Sequence, residues 1–289
     1  KEEYRKGERA AVNPLTLLTL QREICSSSFA AATTLFNLSQ KADEVEAKKI
    51  LSLMELSGQV KENTKMNLVE EILRQIGTEK VIIFTEFLAT QRYIHARLKR
   101  QGILSLTFDG SMSASKKDFT LGRFRRDPAH QVLICTESGG EGVNLQFCRT
   151  MINYDLPWNP MRLEQRIGRI HRLGQTREVF IYNLITRGTI EEHLLQLLLD
   201  KVRLFEMVIG DIQKIINYFS KEKSLESKVM GALVTAEDDG ELSRNLERLG
   251  DELLAKLSRE DGISVDDLIA DQGGSPGVSG NIAIGEQNS

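Results

Sequence analysis

The chain has 289 residues, of which 40% are hydrophobic and 27% charged, with a formal net charge of -3. That suffices for one large domain or two modest ones around a sizeable core. No apolar run approaches the roughly 18 residues of a membrane span, and KEEYRKGERA contains no apolar signal-peptide core.

The sequence starts with Lys rather than Met, so a piece of a longer protein is expected. Three widely spaced cysteines, Cys25, Cys135 and Cys148, form no paired metal-binding spacing and point to a reducing cytosol. Cys135 and Cys148 lie in or beside apolar runs and read as small buried residues. Charge is divided unevenly: residues 206–289 carry 8 Lys and Arg against 17 Asp and Glu, leaving the remainder basic. A basic body with an acidic appendage fits a polyanion-binding protein.

In chain order, residues 1–11 are polar and expected to be mobile. Over 12–62, apolar residues recur at helical spacing (Leu17, Leu18, Leu20, Ile24, then Ile50, Leu51, Leu53, Met54), with breaks near Ser26–Ser28 and Asn37–Ser39. Asp43-Glu44-Val45-Glu46 looks like an acidic metal motif, but it sits on a polar helical stretch and reads as a solvated face. Asn63 can cap a helix whose buried stripe is Leu68, Val69, Ile72, Leu73 and Ile76.

From Lys80 strands and helices alternate. Val81–Thr85, Ile103–Phe108, Gln131–Cys135, Thr150–Tyr154 and Glu178–Tyr182 read as five short strands. Ala89–Arg100, stopped by Gly102, and a helix capped by Ser113 and closed by Asp127-Pro128 lie between them. This pattern predicts an α/β fold with a mostly parallel sheet flanked by helices over 63–187. Ligands in such sheets lie beyond the carboxyl ends of the strands, where this chain places Thr85-Glu86-Phe87, Asp109-Gly110-Ser111, Thr136–Asn144 and Asp155–Pro160. Thr189 can cap a long helix over 188–220; an acidic helical region is expected over 221–270 and a Gly/Ser-rich disordered tail over 271–289.

Two stretches carry anion chemistry. Ser138-Gly139-Gly140-Glu141-Gly142 places three glycines in five residues, which lets backbone amides approach an anion; a plain tight turn reads equally well. In Gln165-Arg166-Ile167-Gly168-Arg169-Ile170-His171-Arg172, Arg166, Arg169 and Arg172 recur every third residue and are expected on one helical face. Guanidiniums so placed can clamp phosphate oxygens, although an exposed basic helix fits the spacing too. His171 reads as a structural imidazole. No G-x-x-x-x-G-K-[ST] occurs, nor a strand ending in an Asp-Glu pair for magnesium, so the chain carries half of a triphosphate site.

Taken together, VIIFTEF (81–87), FDGS (108–111), CTESGGEGVNL (135–145), YDLPWNP (154–160) and QRIGRIHRLGQ (165–175) resemble, in order, the motifs of superfamily 2 helicases. The Trp-Asn-Pro turn and the final Arg-Leu-Gly-Gln resemble Swi/Snf-type DNA translocases, and LPWNPMRLEQRIGRIHRLGQ looks most like the bacterial RapA-like branch. The resemblance covers residues 12–205. It implies a second RecA-like lobe, with ATP and Mg2+ bound against an amino-terminal RecA-like lobe of the same polypeptide that carries the Walker motifs. On that analogy Arg169 and Arg172 are arginine fingers, and Gln165, Gly142 and Asn144 meet the nucleotide. The resemblance likewise implies that Thr85, Gly110, Ser111 and Thr136 touch nucleic-acid backbone; Trp158 reads as a DNA contact or, beside two prolines, as packing. Residues 188–220 resemble a brace. Lys116 and Lys117 stand where the family commonly has an Arg. The implied setting is a bacterial, nucleoid-associated motor on double-stranded DNA with RNA polymerase as a partner, cytoplasmic rather than membrane-bound. An RNA helicase lobe and a non-catalytic interaction module remain the alternatives.

Overall fold

A computed structural model describes residues 14–60, 63–140, 143–157, 160–171, 178–189, 191–192 and 195, scattered positions over 228–252, and 281–285. Cα packing divides the chain into two compact units. One comprises 1–156, 165–191 and 280–289, the other 157–164 and 192–279.

The first unit opens with three helices, α1 (Pro14–Ser26), α2 (Ser28–Ser39) and α3 (Glu44–Gln59). The first break falls where the sequence placed it: the Ser27 hydroxyl caps α2 by accepting the Ala30 N–H. Asp43 caps α3 through the Val45 and Glu46 N–H groups, so its carboxylate is engaged in the solvated helix start that the sequence suggested. Leu20, Ala31 and Leu35 form a small core of their own.

The sheet follows. Asn63 caps α4 (Thr64–Ile76) by accepting the Met66 N–H. Then come β1 (Val81–Thr85), α5 (Leu88–Arg100), β2 (Leu104–Phe108), α6 (Ala114–Arg126), β3 (His130–Thr136), a four-residue turn of helix α7 (Glu137–Gly140), β4 (Thr150–Asn153), α8 (Pro160–Ile170) and β5 (Phe180–Thr186). The strand order is β2-β3-β1-β4-β5, every pairing parallel. This is the RecA-like arrangement expected, with β1 central and its chemistry-bearing end shared with β3 and β4.

Parallel strands covered on both faces are apolar along their whole length, and β1 is buried at all five positions. Its alternate residues enter two cores. Val81 and Ile83 pack with Val69, Ile72 and Leu73 of α4 and Ile94 and Leu98 of α5. Ile82 and Phe84 pack on the other face with Phe108, Phe124 of α6 and Ile170 of α8. Cys135 and Cys148 lie in that second core, as expected. Burial pushes the Cys148 thiol up to about 12 and the Cys135 thiol higher still, so neither is a thiolate at neutral pH.

Two expectations need correction. The fifth strand runs Phe180–Thr186 rather than Glu178–Tyr182, because Leu184 and Ile185 carry its buried end. The tail expected to be disordered over 271–289 instead contributes β6 (Asn281–Gly285), which pairs parallel with β5. An Ile-Ala-Ile run can satisfy the unpaired backbone groups that an edge strand would otherwise present. Most of the acidic helical region expected over 221–270 lies outside the described residues, as does most of the helix expected after Thr189. At its start the Thr189 hydroxyl accepts the Glu191 N–H at 3.3 Å, consistent with a cap.

Candidate functional site

Parallel pairing brings the strand ends onto one edge. Thr85 and Thr136 are direct neighbours across β1 and β3, as are Phe108 and Cys135 across β2 and β3. The turn after β2 is closed by Asp109, whose carboxylate accepts the Ser111 N–H at 2.9 Å, leaving Gly110 and Ser111 exposed. Gly139 of α7 lies against that turn so closely that a Cβ would meet the Phe108 carbonyl oxygen at 2.5 Å and the Asp109 Cα at 2.7 Å. The glycine is there at least partly for the approach of two backbones. The Thr136 hydroxyl is buried and finds no partner among the described residues.

Thr85 is anchored rather than free. Its hydroxyl donates to Asp155 Oδ2 at 2.5 Å, and the Glu86 N–H donates to the same oxygen at 3.1 Å. Asp155 is buried. Beneath it Lys65 donates to the Tyr154 carbonyl at 3.0 Å and to Glu191 Oε1 at 2.6 Å, and its ammonium lies 3.8 Å from Asp155 Oδ1. Burial holds the Glu191 carboxyl above its usual range, opposed by Lys65 and reinforced by Asp155. From α1, Arg22 pairs with Glu86 and lies over the Phe87 ring. Ser26 and Ser27 share hydrogen bonds with Thr90 at 2.7 and 2.8 Å. The helical extension therefore clasps the loop after β1.

The arginine-bearing helix divides its residues differently from the expected stripe. Gln165 is exposed and Arg169 half-buried, whereas Arg166 is 2% exposed and points into the protein. Its guanidinium donates to Glu137 Oε2 at 2.9 and 2.5 Å, to Asn153 Oδ1 at 3.1 Å and to the Asp155 carbonyl at 2.8 Å, and lies 5.2 Å from the Phe84 ring centroid. Arg166 thus does not share an exposed face with Arg169. Leu145 N–H donates to the Arg169 carbonyl at 3.0 Å, joining the loop after α7 to α8. Asn144 is exposed, with its side-chain oxygen accepting the Gln146 N–H. His171 is exposed rather than structural. Gly142, Trp158 and Arg172 lie outside the described residues.

The structure thus brings Thr85, Gly110, Ser111 and Thr136 to one sheet edge, and sets Asn144 and Gln165 on segments tied together through Leu145 and Arg169. Asn144 and Gln165 each carry an exposed amide and Arg169 a half-buried guanidinium, groups that can donate to anionic oxygens. Of the charged residues beneath, Lys65 and Glu191 were not singled out by sequence reasoning, and Arg166 was expected on the exposed arginine face rather than in the interior. Asp155, directly after a strand, was the one visible signal.

The chain matches the helicase conserved C-terminal domain over residues 64–174. The uncharacterized ATP-dependent helicase YqhH of Bacillus subtilis strain 168 is 50% identical over 205 residues, covering 70% of this chain and 36% of that protein. CHD3-type chromatin-remodeling factor CHR7 of Arabidopsis thaliana is 33% identical, covering 59% of this chain and 15% of that protein. DNA repair and recombination protein RDH54 of Saccharomyces cerevisiae S288c is 32% identical, with 71% and 21% covered. The chain spans about a third or less of these relatives' lengths. Among solved structures, the C-terminal part of the Fun30 ATPase domain overlays with a TM-score of 0.49 at 21% identity, over 68% of this chain and 75% of that one. The chain therefore carries a helicase conserved C-terminal domain, and its homologues are Swi/Snf-type helicases of superfamily 2.

Proposed function

We propose that this lobe is the second half of an ATP-dependent motor that translocates on double-stranded DNA, paired with an amino-terminal RecA-like lobe of the same polypeptide. The observation that supports it is the sharing of one sheet end between two kinds of residue. Gly110 and Ser111, exposed after β2, are suited to sugar-phosphate contacts that fix register without reading sequence, with the buried Thr85 and Thr136 at the ends of β1 and β3 beside them; Trp158 would add to these contacts. Gln165 and Asn144 are exposed near Arg169 of α8 and, with Gly142, would face nucleotide.

ATP supplies the phosphoryl group whose transfer to water drives the cycle. Arg169 and Arg172 would offset the charge that builds on it, while the other lobe cradles the triphosphate and its Mg2+. The 289-residue chain without that lobe is expected to hydrolyse no ATP. The setting proposed is the bacterial cytoplasm, at the nucleoid, with RNA polymerase as a candidate partner.

The reading is tested by hydrolysis in the intact two-lobe polypeptide with duplex DNA or RNA as activator. Activation by duplex DNA without strand separation supports it, and binding weakened steeply by salt is expected alongside. Activation by RNA with unwinding overturns it.

A further inference from the structure

Arg166 occupies a position that a bland structural role does not account for. A buried guanidinium costs several kcal/mol to desolvate, and apolar residues of similar volume often do as well or better at such sites. What the guanidinium adds is direction. It donates to α7 through Glu137, to β4 through Asn153 and to the turn after β4 through the Asp155 carbonyl. Two short paths then lead from Arg166 to the strand ends. Asp155 binds Arg166 with its carbonyl and Thr85 with its carboxylate. Glu137 binds Arg166 and directly follows Thr136 in the chain. Each threonine at the sheet edge is one residue away from the same guanidinium, and Gln165 and Arg169 are carried by the same helix.

We infer that Arg166 is the positioning residue that couples nucleic-acid engagement to hydrolysis. A shift of Thr85 or Thr136 is passed through Asp155 or Glu137 to Arg166, and α8 turns Gln165 and Arg169 toward or away from the nucleotide. This rests on the motor reading above. The Glu137–Arg166 pair sets the DNA-dependent part of the rate rather than affinity for either ligand.

The experiment uses the intact two-lobe polypeptide with Glu137→Gln, which keeps shape and removes the charge, and with Arg166→Lys, which keeps charge and loses the fork. The quantities read are kcat with saturating duplex DNA, KM for ATP, Kd for DNA and the thermal midpoint. Misplacement of catalytic groups from a distance costs up to about 100-fold; both variants are expected to lose on the order of tenfold in DNA-stimulated kcat, with KM and Kd near wild type, while the thermal midpoint falls in Glu137→Gln because the buried guanidinium loses its countercharge. Wild-type-like stimulation in Glu137→Gln overturns the inference while leaving the motor reading intact. So does a loss in which KM, Kd and thermal midpoint all worsen together. Absence of DNA stimulation in the wild type overturns the motor reading and this inference with it.

Discussion

Lys65 and Glu191 lie 126 positions apart yet meet in the interior, and replacing Lys65 by Met measures what the pair holds together. Lys65 is 4% exposed and Glu191 7%. The ammonium sits 2.6 Å from Glu191 Oε1 and also donates to the Tyr154 carbonyl. Removing one partner of a buried pair leaves the other charge uncompensated, at a cost of about 3–5 kcal/mol, a large share of the roughly 5–15 kcal/mol that holds a domain folded. The loss has a pH signature. The folded-state pKa of Glu191 is raised above 4.5, first by burial. Its contribution to stability is therefore fully present below that value and is lost as pH rises through the raised one. Without Lys65 the folded pKa rises further. The destabilisation should be largest at neutral pH and shrink toward acid pH, where Glu191 is protonated in both proteins. Urea unfolding of wild type and Lys65→Met across this range reads both quantities. Adding Glu191→Gln to Lys65→Met should recover much of the loss. A loss below about 1 kcal/mol, as for an exposed pair, or one independent of pH, would refute the reasoning.

Gly139→Ala is expected to destabilise by about 1–3 kcal/mol, because its Cβ would meet backbone of the β2 turn that cannot move aside. Gly168→Ala, with nothing within 4 Å of the new Cβ, should instead stabilise α8 by roughly 0.5–1 kcal/mol; thermal or urea melts distinguish the signs. Thr85→Val removes a donor from the buried Asp155 carboxylate, whose Oδ1 already lacks a hydrogen-bond partner, and should cost about 1–3 kcal/mol in the same melts.

The strands were legible because β-branched runs such as Val81–Thr85 are short, apolar and followed by turn residues, and the parallel order followed from their alternation with helices. β5 slipped because Tyr182-Asn183 interrupts the apolar run, and Asn183 is kept in the strand by a partner far away, the Asn153 amide at 2.8 Å. The four residues of α7 are too few to show a period. Spacing alone placed Arg166 with Arg169 and Arg172, since residues three apart share a face only approximately. What turns Arg166 inward is a carboxylate from the end of β3 and a carbonyl from the end of β4, groups made neighbours by sheet order. The Lys65–Glu191 pair is invisible for the same reason: nothing local couples a helix start before β1 to one after β5.

The central claim is that this lobe completes a nucleotide site from across a cleft. Arg169→Ala and Arg172→Ala, each in the intact two-lobe polypeptide, test it most directly when DNA-stimulated hydrolysis and DNA affinity are measured on the same preparation. Arginine fingers supply about 10³–10⁵ in rate, so each variant should lose hydrolysis almost entirely while binding duplex DNA as the wild type does. Near-normal turnover in either variant would contradict the account.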